Sequence, residues 1–263
     1  MVTAYDYTSA LLADRAGIPM ILVGDSMAQT MLGFEDTLPV TVDDMVRHTA
    51  AVVRGTRRAF VVADMPFMSY QASTSDALRN AGRLLKEGGA QAVKLEGGAV
   101  VVETVKALVA AGVAVMGHLG LTPQSVHQLG GYGVQGRTVE AARTLLDEAQ
   151  ALEKAGAFAI VLELVPSELA REVTDALTIP TIGIGAGPAC DGQVQVWHDL
   201  LGLSLDFTPR HAAKYAEVGA TMLDALERWA EDVRQGRFPT EAQTSHVREP
   251  LDLGSKVLTP PAE

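Results

Sequence analysis

Short β-branched runs alternate along the chain with stretches in which Ala, Leu, Glu and Arg recur at helical spacing. The first set predicts strands near residues 2–5, 20–25, 60–64, 91–96, 113–118, 158–163, 181–184 and 194–198. The second predicts helices over 8–16, 43–54, 74–87, 99–111, 138–155 and 167–177, several of them closed by glycine. Alternation of this kind means parallel β/α units. Eight strands in a chain of 263 residues match a (β/α)8 TIM barrel, an α/β domain of roughly 250 residues. An open doubly wound sheet is the competing arrangement of the same elements.

A weak internal repeat favours the barrel. A helix ends at Gly17, Gly89, Gly112 or Gly156, and the following strand runs into Asp25, Glu96, His118 or Glu163, at offsets of 8, 7, 6 and 7 residues. Asp64 closes the run Phe60-Val61-Val62-Ala63 in the same manner. Ionisable groups therefore gather at the C-terminal edge of the strands, the edge that carries chemistry in such barrels. Side chains two apart on a strand share a face, so Lys94 and Glu96 should both enter the mouth while Leu95 packs outward. Val62 with Asp64, Met116 with His118 and Val161 with Glu163 repeat the pattern, which predicts an apolar layer beneath an ionisable one.

Asp25 and Asp64 would end neighbouring strands about 4.8 Å apart, close enough for both carboxylates to meet one hard cation such as Mg2+. Glu96, a strand further and roughly 10 Å from Asp25, would act through a bound water. The purely structural alternative is a layer of salt bridges around Lys94. Glu163 stands among Ala, Ile, Val and Leu in sequence, a setting expected to raise a carboxylate's pKa and suit a general base; an Arg or Lys partner is the alternative. His118 either binds an anion or is a hydrogen-bonded strand-end histidine. Gly183-Ile184-Gly185-Ala186-Gly187 lacks the third glycine of a dinucleotide loop at its offset and is given no nucleotide role. Gly130 to Arg137 is a glycine-rich loop, either a lid or a plain connection.

From Pro209 to Gln235 a helical stripe of Tyr215, Val218, Met222, Leu226, Trp229 and Val233 predicts a helix packed on the body. Periodicity is lost after Pro239. The expected organisation is one barrel domain with its C-terminal helical region over 1–248, then a mobile tail over 249–263. With 21 basic against 32 acidic residues the net charge is −11, which argues against nucleic acid as a partner. A single cysteine, Cys190, excludes an intramolecular disulfide and points to a reducing cytoplasm. No apolar run approaches the roughly 20 residues of a membrane span, and no export signal opens the chain.

Seven segments carry a more specific likeness: Thr3-Ala4-Tyr5-Asp6, Leu22-Val23-Gly24-Asp25-Ser26, Leu38-Pro39-Val40-Thr41, Ala63-Asp64-Met65-Pro66-Phe67, Val93-Lys94-Leu95-Glu96-Gly97-Gly98, Gly117 to Gln124 and Ile182 to Gly187. In order and spacing, over about residues 2 to 203, the chain resembles the ketopantoate hydroxymethyltransferase family, within the barrel group of phosphoenolpyruvate mutase and isocitrate lyase. The resemblance implies transfer of a hydroxymethyl group from 5,10-methylenetetrahydrofolate to 3-methyl-2-oxobutanoate, yielding 2-dehydropantoate for pantothenate synthesis. It implies Asp25 and Asp64 as Mg2+ ligands with Glu96 among the metal residues, Ser26, Lys94 and His118 as contacts of the oxo acid, and Glu163 as proton acceptor. It also implies a homo-oligomer, a decamer. Two features depart from the pattern: Met1 abuts the first strand where the family carries a leading segment, so the start is truncated or another element covers the barrel's lower end, and Pro209-Arg210-His211 stands where Pro-Lys-Phe is usual. A Mg2+-dependent mutase or lyase of the same barrel group, and a catalytically silent barrel, are the rival expectations.

Overall fold

The computed structural model describes residues 1–204 and 208–260 and divides into two compact units, Met1–Ala216 and Glu217–Glu263. In the first, eight parallel strands are hydrogen-bonded in chain order: β1 (Val2–Thr3), β2 (Met20–Val23), β3 (Phe60–Asp64), β4 (Ala92–Glu96), β5 (Ala114–Gly120), β6 (Ala159–Glu163), β7 (Thr181–Ile184) and β8 (Gly192–Gln193). A bridge between Val2 and Gln195, with the Thr3 N–H donating to the Gln195 carbonyl, brings the last strand back to the first. The helices between them are α1 (Tyr7–Arg15), α2 (Met27–Thr30), α3 (Val42–Gly55), α4 (Thr74–Lys86), α5 (Val102–Ala110), α6 (Val126–Leu129), α7 (Val139–Lys154), α8 (Ser167–Ala176) and α9 (Trp197–Leu201).

Helix starts follow local chemistry. Asp6, Thr41, Ser73 and Thr138 each sit before a helix in extended backbone, and each side chain accepts a hydrogen bond from the N–H three residues on, satisfying a donor that the first turn leaves open. Strand alternation then sorts the apolar side chains into two cores. Ile21, Val61, Val93, Leu95, Val115, Ile160 and Leu162 face outward and pack against Val52, Leu84, Leu108 and Leu152 of the surrounding helices. Leu22, Val62, Ala92, Met116, Val161, Ile182 and Ile184 face inward and fill the barrel. Half-buried Met20, Phe60, Ala114 and Phe158 extend this inner core, and the Phe60 and Phe158 rings meet edge to face with centroids 5.8 Å apart.

Three expectations need correction. Strand eight spans Gly192–Gln193, not 194–198: the chain makes one further bridge at Gln195, then turns into α9 because the Trp197 N–H is captured by the Thr3 hydroxyl at 2.9 Å. The last helix, α10, spans Val218–Arg234 and starts nine residues after Pro209; Tyr215 lies outside it, its N–H donating instead to the Leu200 carbonyl. Met222, Leu226, Trp229 and Val233 of its stripe are exposed. The stretch read as a mobile tail contains a two-stranded antiparallel ladder, β9 (Leu251–Asp252) and β10 (Val257–Leu258), while residues 261–263 of that stretch lie outside the described part.

Because Leu108 is wholly buried between α5 and the sheet, Leu108→Ala should cost about 2–5 kcal/mol in urea unfolding. Val100, 89% exposed on the neighbouring turn, provides the control: Val100→Ala should stay within about 0.5 kcal/mol. Equal losses at the two positions would contradict the assignment of the outer core.

Candidate active site

The inward ends of the strands place the sequence-predicted residues around one mouth. Register sets Asp64 beside Lys94 and Glu96 beside His118, and it sets Gly120 beside Glu163. Asp25 follows β2 by two residues, and Ser26 opens α2. All seven line a single cavity of about 460 Å3, whose floor includes Leu22, Val161, Ile184 and Val194. That volume falls in the range of small-molecule sites.

Local chain geometry makes this convergence feasible at two glycines. A Cβ on Gly24 would lie 2.7 Å from the Ser26 hydroxyl oxygen, so a side chain there would press on that hydroxyl. Gly120 has φ +91°, and a Cβ there would sit 2.2 Å from the Glu163 carbonyl oxygen.

The polar groups form a connected cluster. Lys94 Nζ is 3.0 Å from Asp64 Oδ1, 3.9 Å from Glu96 Oε1 and 3.2 Å from His118 Nδ1. The imidazole bridges the two sides of the mouth, with Nδ1 3.4 Å from Glu96 Oε1 and Nε2 3.3 Å from Glu163 Oε2. Glu163 is therefore not isolated among apolar neighbours as its sequence setting suggested. Its neighbour Leu162 points outward, and what the carboxylate faces is His118 and the cavity. Asp64 Oδ2 accepts from the Asp25 N–H at 3.0 Å. Ser26 Oγ shares a hydrogen bond of 2.9 Å with Tyr5 OH, which in turn accepts from Thr3 Oγ1 at 2.9 Å.

Electrostatics divide the cluster. Burial, then the charges of Asp64 and Glu96, push the Asp25 carboxyl well above the usual carboxylate range. Burial also raises Asp64, against the pull of Lys94. Lys94 loses some basicity to burial, but the carboxylates around it more than restore its charge. Burial likewise works against ionisation of Glu96, and the His118 and Lys94 charges overcome it, leaving its carboxyl below the usual range. For His118, burial and the Lys94 ammonium act downward, while Glu163 and Glu96 outweigh them and lift the imidazole to about 9.

The donor set suits a divalent cation. In ionised form the four strand-end carboxylates Asp25, Asp64, Glu96 and Glu163 outnumber the Lys94 ammonium and the His118 imidazolium by two, and Asp199 and His211 line the same cavity. Asp25 and Asp64 supply hard oxygen donors side by side, and both are held in a state that a cation would relieve. No cluster of three or more His, Cys, Asp or Glu among the described residues forms a preformed cage. Mg2+ does not need one, since it takes one or two carboxylates and completes its shell with water or ligand. The residues fit.

Other contributors lie off the strands. Gln124, Tyr70, Tyr5 and Thr3 carry hydrogen bonds of the cluster, and Tyr132 of the glycine-rich loop lines the cavity, its hydroxyl accepting from Gln29 Nε2 at 3.3 Å. Thr3, Tyr5 and Gln124 fall inside recognisable motifs, but nothing in the spacing assigns them a role.

In protein stripped of divalent metal, the His118 contribution to stability should be fully present below about pH 6.5 and lost as pH rises through about 9, because the folded state holds that proton more tightly than the unfolded chain. Asp25 and Asp64 act in the same direction at lower pH, their raised pKa values favouring the protonated folded state. Urea midpoints between pH 6.5 and 9 should fall steeply in the wild type and less in His118→Gln. Parallel slopes would show that the imidazole is not the titrating group.

Comparison with known proteins gives the family and the fold. The ketopantoate hydroxymethyltransferase family model matches residues 1–241. A 3-methyl-2-oxobutanoate hydroxymethyltransferase of Gluconacetobacter diazotrophicus is 60% identical over 248 residues, 94% of this chain and 89% of the relative. The one from Chloroflexus aurantiacus is 57% identical over 255 residues, 97% and 90% of the two chains. Among solved structures, 2,3-dimethylmalate lyase, a PEP mutase/isocitrate lyase superfamily member, aligns with TM-score 0.59 at 18% identity, covering 93% of this chain and 85% of its own. Phosphonopyruvate hydrolase in complex with oxalate and Mg2+ aligns with TM-score 0.60 at 14% identity, covering 94% and 86%. The structural likeness fixes the barrel type, and the sequence likeness fixes the enzyme group: the chain belongs to the ketopantoate hydroxymethyltransferase family of transferases.

Proposed function

We propose that the protein transfers a hydroxymethyl group from 5,10-methylenetetrahydrofolate to 3-methyl-2-oxobutanoate, giving 2-dehydropantoate for pantothenate synthesis, through an enolate of the oxo acid. The observation that carries this reading is the division of one cavity into a carboxylate pair, Asp25 and Asp64, on one side and Glu163 beside His118 on the other. Removing a proton next to a carbonyl requires both a base and charge stabilisation at the developing oxyanion. Mg2+ held by Asp25 and Asp64, with Glu96 nearby, would supply Lewis-acid stabilisation of that charge. Lys94 and Ser26 face the same volume and would fix the substrate carboxylate through charge-assisted and hydroxyl hydrogen bonds. The floor of Leu22, Val161, Ile184 and Val194 suits the branched alkyl end. Glu163 takes the C3 proton, and the resulting carbon nucleophile bonds to the one-carbon unit; both bonds of that carbon to the folate nitrogens break, water supplies the hydroxyl oxygen, and the C3 proton with one from water goes to the two nitrogens of the released tetrahydrofolate. His118, paired to Glu163 Oε2, contacts the substrate and aligns the base.

We further infer a cytoplasmic homo-oligomer, with the decamer as the expected size. One half-buried thiol suits a reducing compartment, no described helix is long and apolar enough to cross a membrane, and the exposed stripe on α10 offers apolar surface for subunit contacts.

Glu163→Gln keeps the size of the side chain but cannot accept a proton. Exchange of the substrate's C3 hydrogen with D2O, followed by NMR without folate, should slow by about 10²-fold or more while oxo-acid binding survives. Exchange at the wild-type rate would assign the base elsewhere. Light scattering should give several times the monomer mass; a monomer would remove the assembly from the proposal.

A further inference from the structure

One buried side chain ties the acidic half of the mouth together, and the reaction steps above leave it without a task. Gln124 lies beyond β5, in the loop that crosses the mouth, and is 5% exposed. Its Nε2 donates to Asp25 Oδ2 at 2.8 Å and to the Met65 carbonyl at 2.9 Å. Its Oε1 accepts from Tyr70 OH at 2.8 Å and from Gln71 Nε2 at 3.1 Å. Its backbone N–H donates to Glu96 Oε2 at 2.9 Å. A primary amide has two donors and two acceptor lone pairs, and here all are used.

This completeness fixes which way the amide faces. Turning it over would set the amide oxygen against the Asp25 carboxylate and the Met65 carbonyl, and would aim its NH2 group at the Gln71 donor. Tyr70 locks the orientation. Its single proton goes to the nearer Gln124 oxygen rather than to the Glu96 carbonyl at 3.1 Å, and its oxygen accepts from the Glu96 N–H at 3.1 Å. Gln124 thus offers Asp25 a neutral donor inside a cluster whose other nearby acids repel it, and the same residue holds Glu96 from its backbone.

We propose that Gln124, locked by Tyr70, is the positioning residue of the divalent-cation site: it fixes Asp25 and Glu96 in one arrangement around the cation. The proposal rests on the reading of Asp25 and Asp64 as cation ligands. Partners that orient metal ligands without touching the metal characteristically act on affinity.

The test measures Mg2+ binding by calorimetry on folded protein without substrate, alongside the metal-free thermal midpoint. Gln124→Met should weaken Mg2+ affinity by about 10- to 100-fold. Tyr70→Phe, which removes only the lock, should weaken it by about two- to tenfold. In both, raising Mg2+ should restore the kcat of the reaction. A merely structural brace would lower the metal-free midpoint and leave the affinity of the folded fraction at the wild-type value. Asp64→Asn separates the two levels of the argument. Lost affinity in Asp64→Asn with wild-type affinity in both other variants overturns the role of Gln124 alone. Wild-type affinity in all three overturns the cation site and the role of Gln124 with it. Should Gln124→Met fail to fold, Tyr70→Phe decides by the same criterion.

Discussion

A lysine whose side chain is 4% exposed has to be paired where it stands, because an ammonium taken out of water costs several kcal/mol unless its neighbours compensate. Lys94 sits at the barrel mouth, and its compensation comes from Asp64 on the strand before it and Glu96 on its own, while His118 on the strand after it is held beside it by Glu96 and Glu163. Those partners exist only while β3, β4 and β5 hold the register Asp64 to Lys94 and Glu96 to His118. A slip of β4 by one residue would turn Lys94 into the helix-facing core in place of Val93 and Leu95 and would strip the carboxylates of their counter-charge. Strand register and site electrostatics are therefore one constraint.

The same constraint explains what was readable from the sequence. Strands β2 to β7 and the residues at their ends followed from period-two alternation, which decides the face of a side chain before any tertiary contact is known. Where tertiary contacts decide, the reading failed. The turn into α9 depends on Thr3 capturing the Trp197 N–H from the far end of the chain, so nothing local could end the last strand early. On α10 the helical stripe was legible as a pattern, but periodicity says only which residues share a face, not what covers it. Glu163 shows the limit most directly. Its sequence neighbours are apolar, yet alternation sends Leu162 outward, and the group that conditions the carboxylate lies across the sheet on β5.

Gly120 connects the two halves of the mouth. With φ +91° and the Glu163 carbonyl where a Cβ would be, the chain passes directly over the end of β6, held by the Leu121 N–H donating to that carbonyl at 2.8 Å. This crossing carries residues 121–124 inward over the cavity instead of outward to the helices, and it brings Gln124 to Asp25, Met65 and Glu96. A single left-handed glycine thus sets the position of a residue that binds three strands together. Its effect is visible only in three dimensions, because the sequence shows a glycine after a strand and no more.

Stability and function pull against each other at this mouth. At the strand ends Asp25, Asp64, Glu96 and Glu163 gather around Lys94 and His118, and burial together with neighbouring negative charge raises Asp25 and Asp64 toward the protonated form. A barrel built for stability alone would replace these acids with the aliphatic residues found one layer below, at Leu22 and Val62. What the arrangement gains is a standing demand for positive charge. A cation that answers the demand stabilises the folded state in proportion to its affinity, so the energy stored in repulsion between buried acids becomes part of the binding energy for the ligand that the chemistry needs. Lys94 and His118 set positive charge against Glu96, Glu163 and one face of Asp64, and they leave Asp25 and Asp64 still raised on the side where the cation would bind.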